Sequence, residues 1–201
     1  MIHRLLAGRF SRTAASSLAL LFIGLVADAT LHAQNAPAAP ATAAQWGSRE
    51  YRDFKLETPF ELKPAPDMET GLPSSTNNVV AGIHSAQGGD ENQILMVLTE
   101  VTYKPNVTLN IEGAIRGAIT AMAAKIEDNN PQYAVDTLKV SDLEARHALY
   151  QHDLGEGHVV YVEELVALHG QTMYQIQLFT LNGSLRTDMT RILKSIAIVA
   201  H

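Results

Sequence analysis

The chain has 201 residues, of which 46% are hydrophobic and 18% charged, and its formal net charge is −6. This composition is typical of a globular protein, because a disordered chain would be poorer in apolar residues and richer in charge. The absence of cysteine excludes disulfides, thiolate catalysis and cysteine-ligated zinc. The acidic balance argues against nucleic acid as a partner, since phosphate binding needs a basic face.

Residues 1–29 have the three regions of a cleavable signal peptide. A basic start precedes an apolar run over 14–26, and small residues follow as far as Ala29. Cleavage is expected after Ala29, with a second candidate position after Ala33; a buried N-terminal helix is the alternative. We therefore expect a periplasmic or secreted protein.

Removal of 1–29 takes away three Arg and one Asp, which leaves 12 basic and 20 acidic residues and a net charge of −8. A chain this acidic is not held to anionic lipid by charge. We therefore expect no stable membrane anchor after cleavage.

Residues 30–45 form an Ala/Pro-rich tract without charge, which predicts a linker. A single domain is expected over 46–201. Alternation and turn-forming residues predict strands, and apolar residues spaced by three and four predict helices. The predicted strands are 51–56, 60–62, 79–84, 93–103, 133–140, 144–153, 158–168 and 171–181, with a central helix over 111–126 and a final helix from 184.

The caps and faces of these elements are also predicted. Thr108 or Asn110 is expected to cap the central helix, and Ser184 the final one. In the last long strand, Tyr174, Ile176 and Leu178 are expected to face inward, with Gln175 and Gln177 outward. Runs of antiparallel strands interrupted by helices indicate an α+β protein, with a mostly antiparallel sheet flanked by helices.

Three stretches resemble PsbP-like domains. Residues 53–60 (DFKLETPF) resemble the short opening strand of that family, with its proline and aromatic residue. Residues 172–178 (TMYQIQL) and 192–198 (ILKSIAI) resemble its last strand and closing helix. The family includes periplasmic bacterial proteins of the DcrB type. The resemblance implies an α/β/α sandwich and a non-enzymatic accessory or binding role.

The residues that could support catalysis do not assemble into a known pattern. No G-x-S-x-G motif is present, and His84 and Ser85 are adjacent on a predicted strand, so they point to opposite faces. The glycines at 155 and 157 join two strands, whereas a phosphate loop needs a helix behind it. Glu163 and Glu164 alternate along a strand and so cannot flank one glycosidic bond. The sequence predicts no enzyme and no cofactor.

The hairpin tip around 153–158 holds the best candidate for a metal site. With a two-residue turn at Gly155-Glu156, Asp153 would lie directly opposite His158, and their Cβ atoms would be about 5 Å apart. Glu156 could add a third ligand, which is the number that tight zinc binding usually needs. A solvated Asp–His pair is the alternative interpretation.

Together these observations predict an exported, soluble accessory protein of the bacterial envelope that binds a protein partner through a strand edge or an uncovered sheet face. The alternative is a small-molecule or metal carrier with a pocket between sheet and helix. Met96, Tyr103, Met122 and Tyr174 would line that pocket, unless they are ordinary core residues.

Overall fold

The structure is a computed structural model, and it describes residues 46–65, 78–89, 94–125, 128, 131–155 and 157–200. The predicted signal peptide and linker lie outside these residues. The elements, in chain order, are β1 (Gly47–Tyr51), β2 (Phe54–Thr58), β3 (Lys63–Pro64), β4 (Val80–Gly89), β5 (Leu95–Tyr103), α1 (Ile111–Lys125), β6 (Tyr133–Val140), β7 (Leu143–Gly155), β8 (His158–His169), β9 (Thr172–Thr180), a 3₁₀ turn (Gly183–Leu185), α2 (Arg186–Lys194) and β10 (Ala197–Ile198).

The strands form two sheets. The main sheet has seven strands in the order β3-β4-β5-β9-β8-β7-β6, and the small sheet has three in the order β1-β2-β10. All the paired strands are antiparallel. Strands β5, β8 and β9 lie inside the main sheet, so both of their edges are hydrogen-bonded to neighbours.

Helix α1 covers one face of the main sheet. Its buried residues Ile115 and Ile119 pack in one apolar cluster with Ala148, Val162 and Val166 of β7 and β8. The spacing of three and four residues in the helix places these side chains along one stripe. Alternation along the strands brings every second side chain to the same face. We refer to this side of the sheet as the α1 face.

Helix α2 and the small sheet together cover the other face, which we call the α2 face. Met189 and Ile192 of α2 pack in a second cluster with Phe54 of β2 and with Tyr174 and Ile176 of β9. The rings of Phe54 and Tyr174 meet edge to face, with their centroids 5.6 Å apart. The main sheet is therefore enclosed on both sides, which confirms the predicted α+β sandwich.

The turn between β1 and β2 is fixed to the main sheet by polar contacts. Arg52 has a φ of 50°, and its guanidinium donates two hydrogen bonds to the Glu100 carboxylate, at 2.8 and 3.1 Å. Beside it, the Tyr174 hydroxyl donates to Asp53 Oδ2 at 2.7 Å. These bonds hold the small sheet in place over the α2 face.

A second polar contact joins the start of the described chain to α2. The Arg191 guanidinium carbon lies 3.7 Å from the centroid of the Trp46 ring. The same guanidinium lies 3.6 Å from Glu57 Oε2. Arginine over an indole face is a favourable cation–π arrangement, so Trp46 is attached to the final helix.

Most of the predicted elements are confirmed. The four strands expected between 133 and 181 occur as β6 to β9, and both predicted helices are present. Asn110 caps α1, because its Oδ1 accepts hydrogen bonds from the backbone N–H groups of Glu112 and Gly113. Glu112, in the first turn of the helix, also pairs with Arg146 of β7.

Three local predictions are wrong. The strand expected over 51–56 is two strands, because Arg52 adopts a left-handed conformation and turns the chain. Residues 60–62 are not a strand; pairing begins at Lys63. Ser184 does not cap the final helix: Asn182 caps the preceding 3₁₀ turn by accepting from Ser184, and α2 starts without a side-chain cap.

The strand predicted over 79–84 is longer than expected, because β4 extends to Gly89. Gly89 has a φ of +79°, and a Cβ there would lie 1.8 Å from the Ile94 carbonyl oxygen. Only glycine permits this approach, so the strand ends at this residue.

We expect Asn110→Ala to lower the free energy of unfolding by about 1 kcal/mol, because two N–H groups at the start of α1 lose their acceptor. Asn110→Asp, which keeps a carboxyl oxygen at that position, should retain the stability. Urea denaturation of the three proteins measures the difference. Equal midpoints for the wild type and the alanine variant would show that the cap does not stabilise the helix.

Candidate functional site

A cluster of polar side chains is buried on the α1 face of the main sheet. Glu164 of β8 pairs in register with Gln177 of β9. Gln175 precedes Gln177 by two residues, so it lies on the same face of that strand. All three are almost inaccessible to solvent. They lie within the most enclosed part of the sheet, where the chain would ordinarily place apolar side chains.

The Glu164 carboxyl group is the centre of this cluster. Its Oε1 accepts hydrogen bonds from the side-chain amides of Gln175, at 2.6 Å, and Gln177, at 3.0 Å. Burial raises the pKa of Glu164 to about 7, although the bonds from the two glutamines act to lower it. Desolvation dominates because a charge loses its hydration in the interior. The group therefore titrates near neutral pH.

Tyr150 and His152 extend the cluster toward the end of α1. Both lie on β7 and face the same side as Glu164, because Tyr150 pairs with Val162, two residues from Glu164 on β8. Burial, followed by the nearby charges of Glu164 and Asp128, raises the pKa of Tyr150. His152 Nδ1 lies 2.9 Å from Asp128 Oδ2.

Glu163, the neighbour of Glu164, lies on the α2 face. Its Oε1 accepts a hydrogen bond from the Thr190 hydroxyl at 2.9 Å, and its Oε2 lies 3.3 Å from His147 Nε2. The two carboxylates therefore point to opposite faces, as predicted from alternation. Both are buried, so neither faces an uncovered part of the sheet.

The burial of Gln175 and Gln177 corrects the prediction that both face outward. Polar residues alternating with apolar ones predict an outward face, but α1 covers this face and encloses both amides. The available signal was the pair of adjacent glutamates inside the apolar run 159–168. A carboxyl in such a run needs hydrogen-bond donors, and amides on the neighbouring strand can supply them.

The hairpin tip proposed as a metal site has a different register from the expected one. Asp153 lies opposite Val159, and Gly155 lies opposite His158, because a bulge occurs between Asp153 and Gly155. The Asp153 carboxylate instead accepts a hydrogen bond from the Gly155 N–H at 2.8 Å.

Glu156 lies outside the described residues. Within the described part of the chain, no group of three His, Asp or Glu side chains is arranged to hold a metal ion. The metal site with Asp153, Glu156 and His158 as ligands stays a prediction.

The four residues expected to line a carrier pocket are divided between the two faces. Met96 and Tyr174 belong to the cluster on the α2 face, whereas Tyr103 belongs to the cluster on the α1 face. The side chain of Met122 lies outside the described set. Met96, Tyr103 and Tyr174 are therefore core residues and do not surround one pocket.

The outer edge of the main sheet is a third feature of interest. Strand β6 pairs with β7 on one side and is the last strand of the sheet among those that the structure describes. Tyr133, Ala134, Asp136, Thr137 and Lys139 are exposed along it. An edge strand presents unpaired backbone N–H and C=O groups, which can pair with another strand.

No family model and no protein of curated function matches the sequence. The fold, however, is similar to the solution structure of cyanobacterial PsbP (CyanoP) from Synechocystis sp. PCC 6803, with a TM-score of 0.53 and 10% identity. The match covers 82% of this chain and 98% of CyanoP. The chain therefore has a PsbP-like fold, as its sequence resemblance predicted. That the chain is of the DcrB type stays a prediction. Among the described helices, none is long and apolar enough to cross a membrane.

We expect stability to depend on pH through Glu164. At pH values between the ordinary glutamate pKa of 4.5 and the folded-state pKa of about 7, the folded protein holds a proton that the unfolded chain has released. The contribution of this group to stability therefore falls as pH rises through that window. Glu164→Gln, which resembles the protonated acid, should raise the free energy of unfolding by about 3 kcal/mol at pH 8 and change it little at pH 4.5.

Urea denaturation at the two pH values measures this effect. Glu163→Gln is the matched control, because Glu163 is buried on the same strand but has Thr190 as a hydrogen-bond donor. It should show no comparable gain at pH 8. If the free energy of unfolding has the same pH dependence in the wild type and in Glu164→Gln, then ionisation of Glu164 does not destabilise the fold.

Proposed function

We propose that this chain is an exported, non-enzymatic accessory protein of the bacterial envelope that binds a protein partner through the open edge of β6. The PsbP-like fold supports an accessory role, because that is the role the family resemblance implies. The signal-like segment over 1–29 supports export. The observation that carries the proposal is the eight-residue edge strand, Tyr133–Val140.

The length of this edge suits the addition of a strand. Eight residues extend over about 26 Å at the usual rise of a strand. The other edges in the described residues are shorter: β3 and β10 have two residues each and β1 has five. Pro64 also removes a donor from β3. Strand β6 therefore offers the longest set of unpaired backbone groups in the described part of the fold.

The side chains along β6 permit the addition of a strand beside it. Asp136 and Lys139 are its only charged residues, with opposite signs, so the strand carries no block of like charge. Tyr133 is 39% exposed at its start, and an added strand would cover its ring. In strand addition, the backbone supplies affinity and alternate side chains supply specificity.

The carrier alternative, as drawn from the sequence, has less support, because three of its four lining residues are core residues on different faces.

Site-directed cross-linking tests the edge. The sequence has no cysteine, so a cysteine introduced at Asp136 or Thr137 gives a unique attachment point for a photo-cross-linker. Adjacent residues of a strand face opposite sides, but a strand added beside β6 would lie within reach of both. The two variants should therefore capture the same short segment of one envelope protein, identified by mass spectrometry. Thr120→Cys, exposed on α1, is the matched control. Identical products at all three positions, or none at the edge, would contradict the proposal.

Export is tested separately by the mass of the protein recovered from the periplasm or the medium. Cleavage after Ala29 predicts a chain that begins at Thr30, and cleavage after Ala33 predicts one that begins at Gln34. Recovery of the intact 201-residue chain from the cytoplasm alone would contradict the predicted signal peptide.

A further inference from the structure

Three buried polar atoms on the α1 face have no hydrogen-bond partner among the residues that the structure describes. They are Oε2 of Glu164, Oε1 of Gln175 and the hydroxyl oxygen of Tyr150. The exposed fractions of these residues are 0%, 2% and 4%. Buried polar atoms are nearly always hydrogen-bonded, because desolvating an unpaired one costs about 1–3 kcal/mol. Three such atoms in one cluster indicate a site for a polar group.

The three atoms belong to one group of neighbouring side chains. The amide of Gln175 is bonded to Glu164, so its oxygen lies close to the same carboxyl group. Tyr150 lies on the adjacent strand and on the same face. Each of the three oxygens can accept a hydrogen bond.

The nearby charges favour a cation at this site. Glu164 and Asp128 both act electrostatically on Tyr150, so two carboxyl groups lie near its hydroxyl. Asp128 is paired with His152, while Arg146, on the same face of β7, is paired with Glu112 and Glu144. Among the described residues, ionised Glu164 receives hydrogen bonds only from the neutral amides of Gln175 and Gln177. A ligand with a positive charge would compensate the carboxylate charge, which the neutral amides do not.

We propose that this cluster binds the ammonium group of a small primary amine. An ammonium group carries one positive charge and three N–H donors, which matches one carboxylate and three unpaired acceptors. A divalent metal ion fits less well, because no group of three His, Asp or Glu ligands is assembled among the described residues. Tyr150 is the register partner of Tyr133 on β6, so the site lies one strand inward from the proposed edge, and its occupancy can be tested without a protein partner.

The cluster reaches the surface beside the end of α1. His152 and Asp128 are close to Tyr150, and their side chains are 20% and 14% exposed. A ligand that enters there would meet the Asp128–His152 pair first and Glu164 last.

The melting temperature of the purified protein at pH 8 tests the proposal. Methylammonium chloride should raise it above the value in equimolar tetramethylammonium chloride, which has the same charge but no N–H donor. At ten times its dissociation constant, methylammonium should raise it by about 4 °C. Sodium chloride of equal concentration controls for ionic strength.

Two variants and one control locate the effect. Glu164→Gln removes the charge and should abolish the difference between the two ammonium salts. Tyr150→Phe, which keeps the ring and loses one acceptor, should weaken methylammonium binding several-fold. Glu163→Gln should respond like the wild type. Equal melting temperatures of the wild type in all three salts, or an undiminished response in both site variants, would overturn the proposal.

Discussion

The whole arrangement depends on the enclosure of the main sheet from both sides. Helix α1 covers one face, and α2 with the small sheet covers the other, so every residue is buried over 162–167 of β8 and over 173–180 of β9. In such strands the usual alternation of polar and apolar residues cannot direct polar groups to water. Each polar side chain there must find its partner inside the protein.

The two adjacent glutamates of β8 show how differently this constraint can be met. Glu163 accepts a hydrogen bond from the Thr190 hydroxyl and has His147 nearby, so its carboxyl group has partners contributed by a helix and a neighbouring strand. Among the described residues, Glu164 receives hydrogen bonds only from the amides of Gln175 and Gln177. A single step along the strand therefore separates a carboxyl group with an imidazole beside it from one that has only neutral donors. The second arrangement is the costlier one for the fold, which makes it the better candidate for a functional group.

Much of the fold could be predicted because its signals are local. The strands between 133 and 181 are joined by short turns, and the stripes of α1 and α2 have clear helical spacing, so each segment shows its own structure. The faces of β9 could not be predicted in this way. Gln175 and Gln177 are polar and were expected outward, but their burial depends on the position of α1, which is set by packing between distant segments. The register at Asp153 was missed for a related reason, since a bulge leaves little trace in composition.

The contact between Trp46 and Arg191 has a practical consequence for studies of this protein in solution. Trp46 is the single tryptophan of the chain, and it lies against α2, on the side of the sheet opposite α1. Its fluorescence therefore reports the attachment of the N-terminal strands to the final helix, whereas it is insensitive to local events beneath α1. Circular dichroism, which averages over all the elements, would record both. A difference between the two signals during unfolding would reveal whether the two faces of the sandwich separate as one unit or in succession.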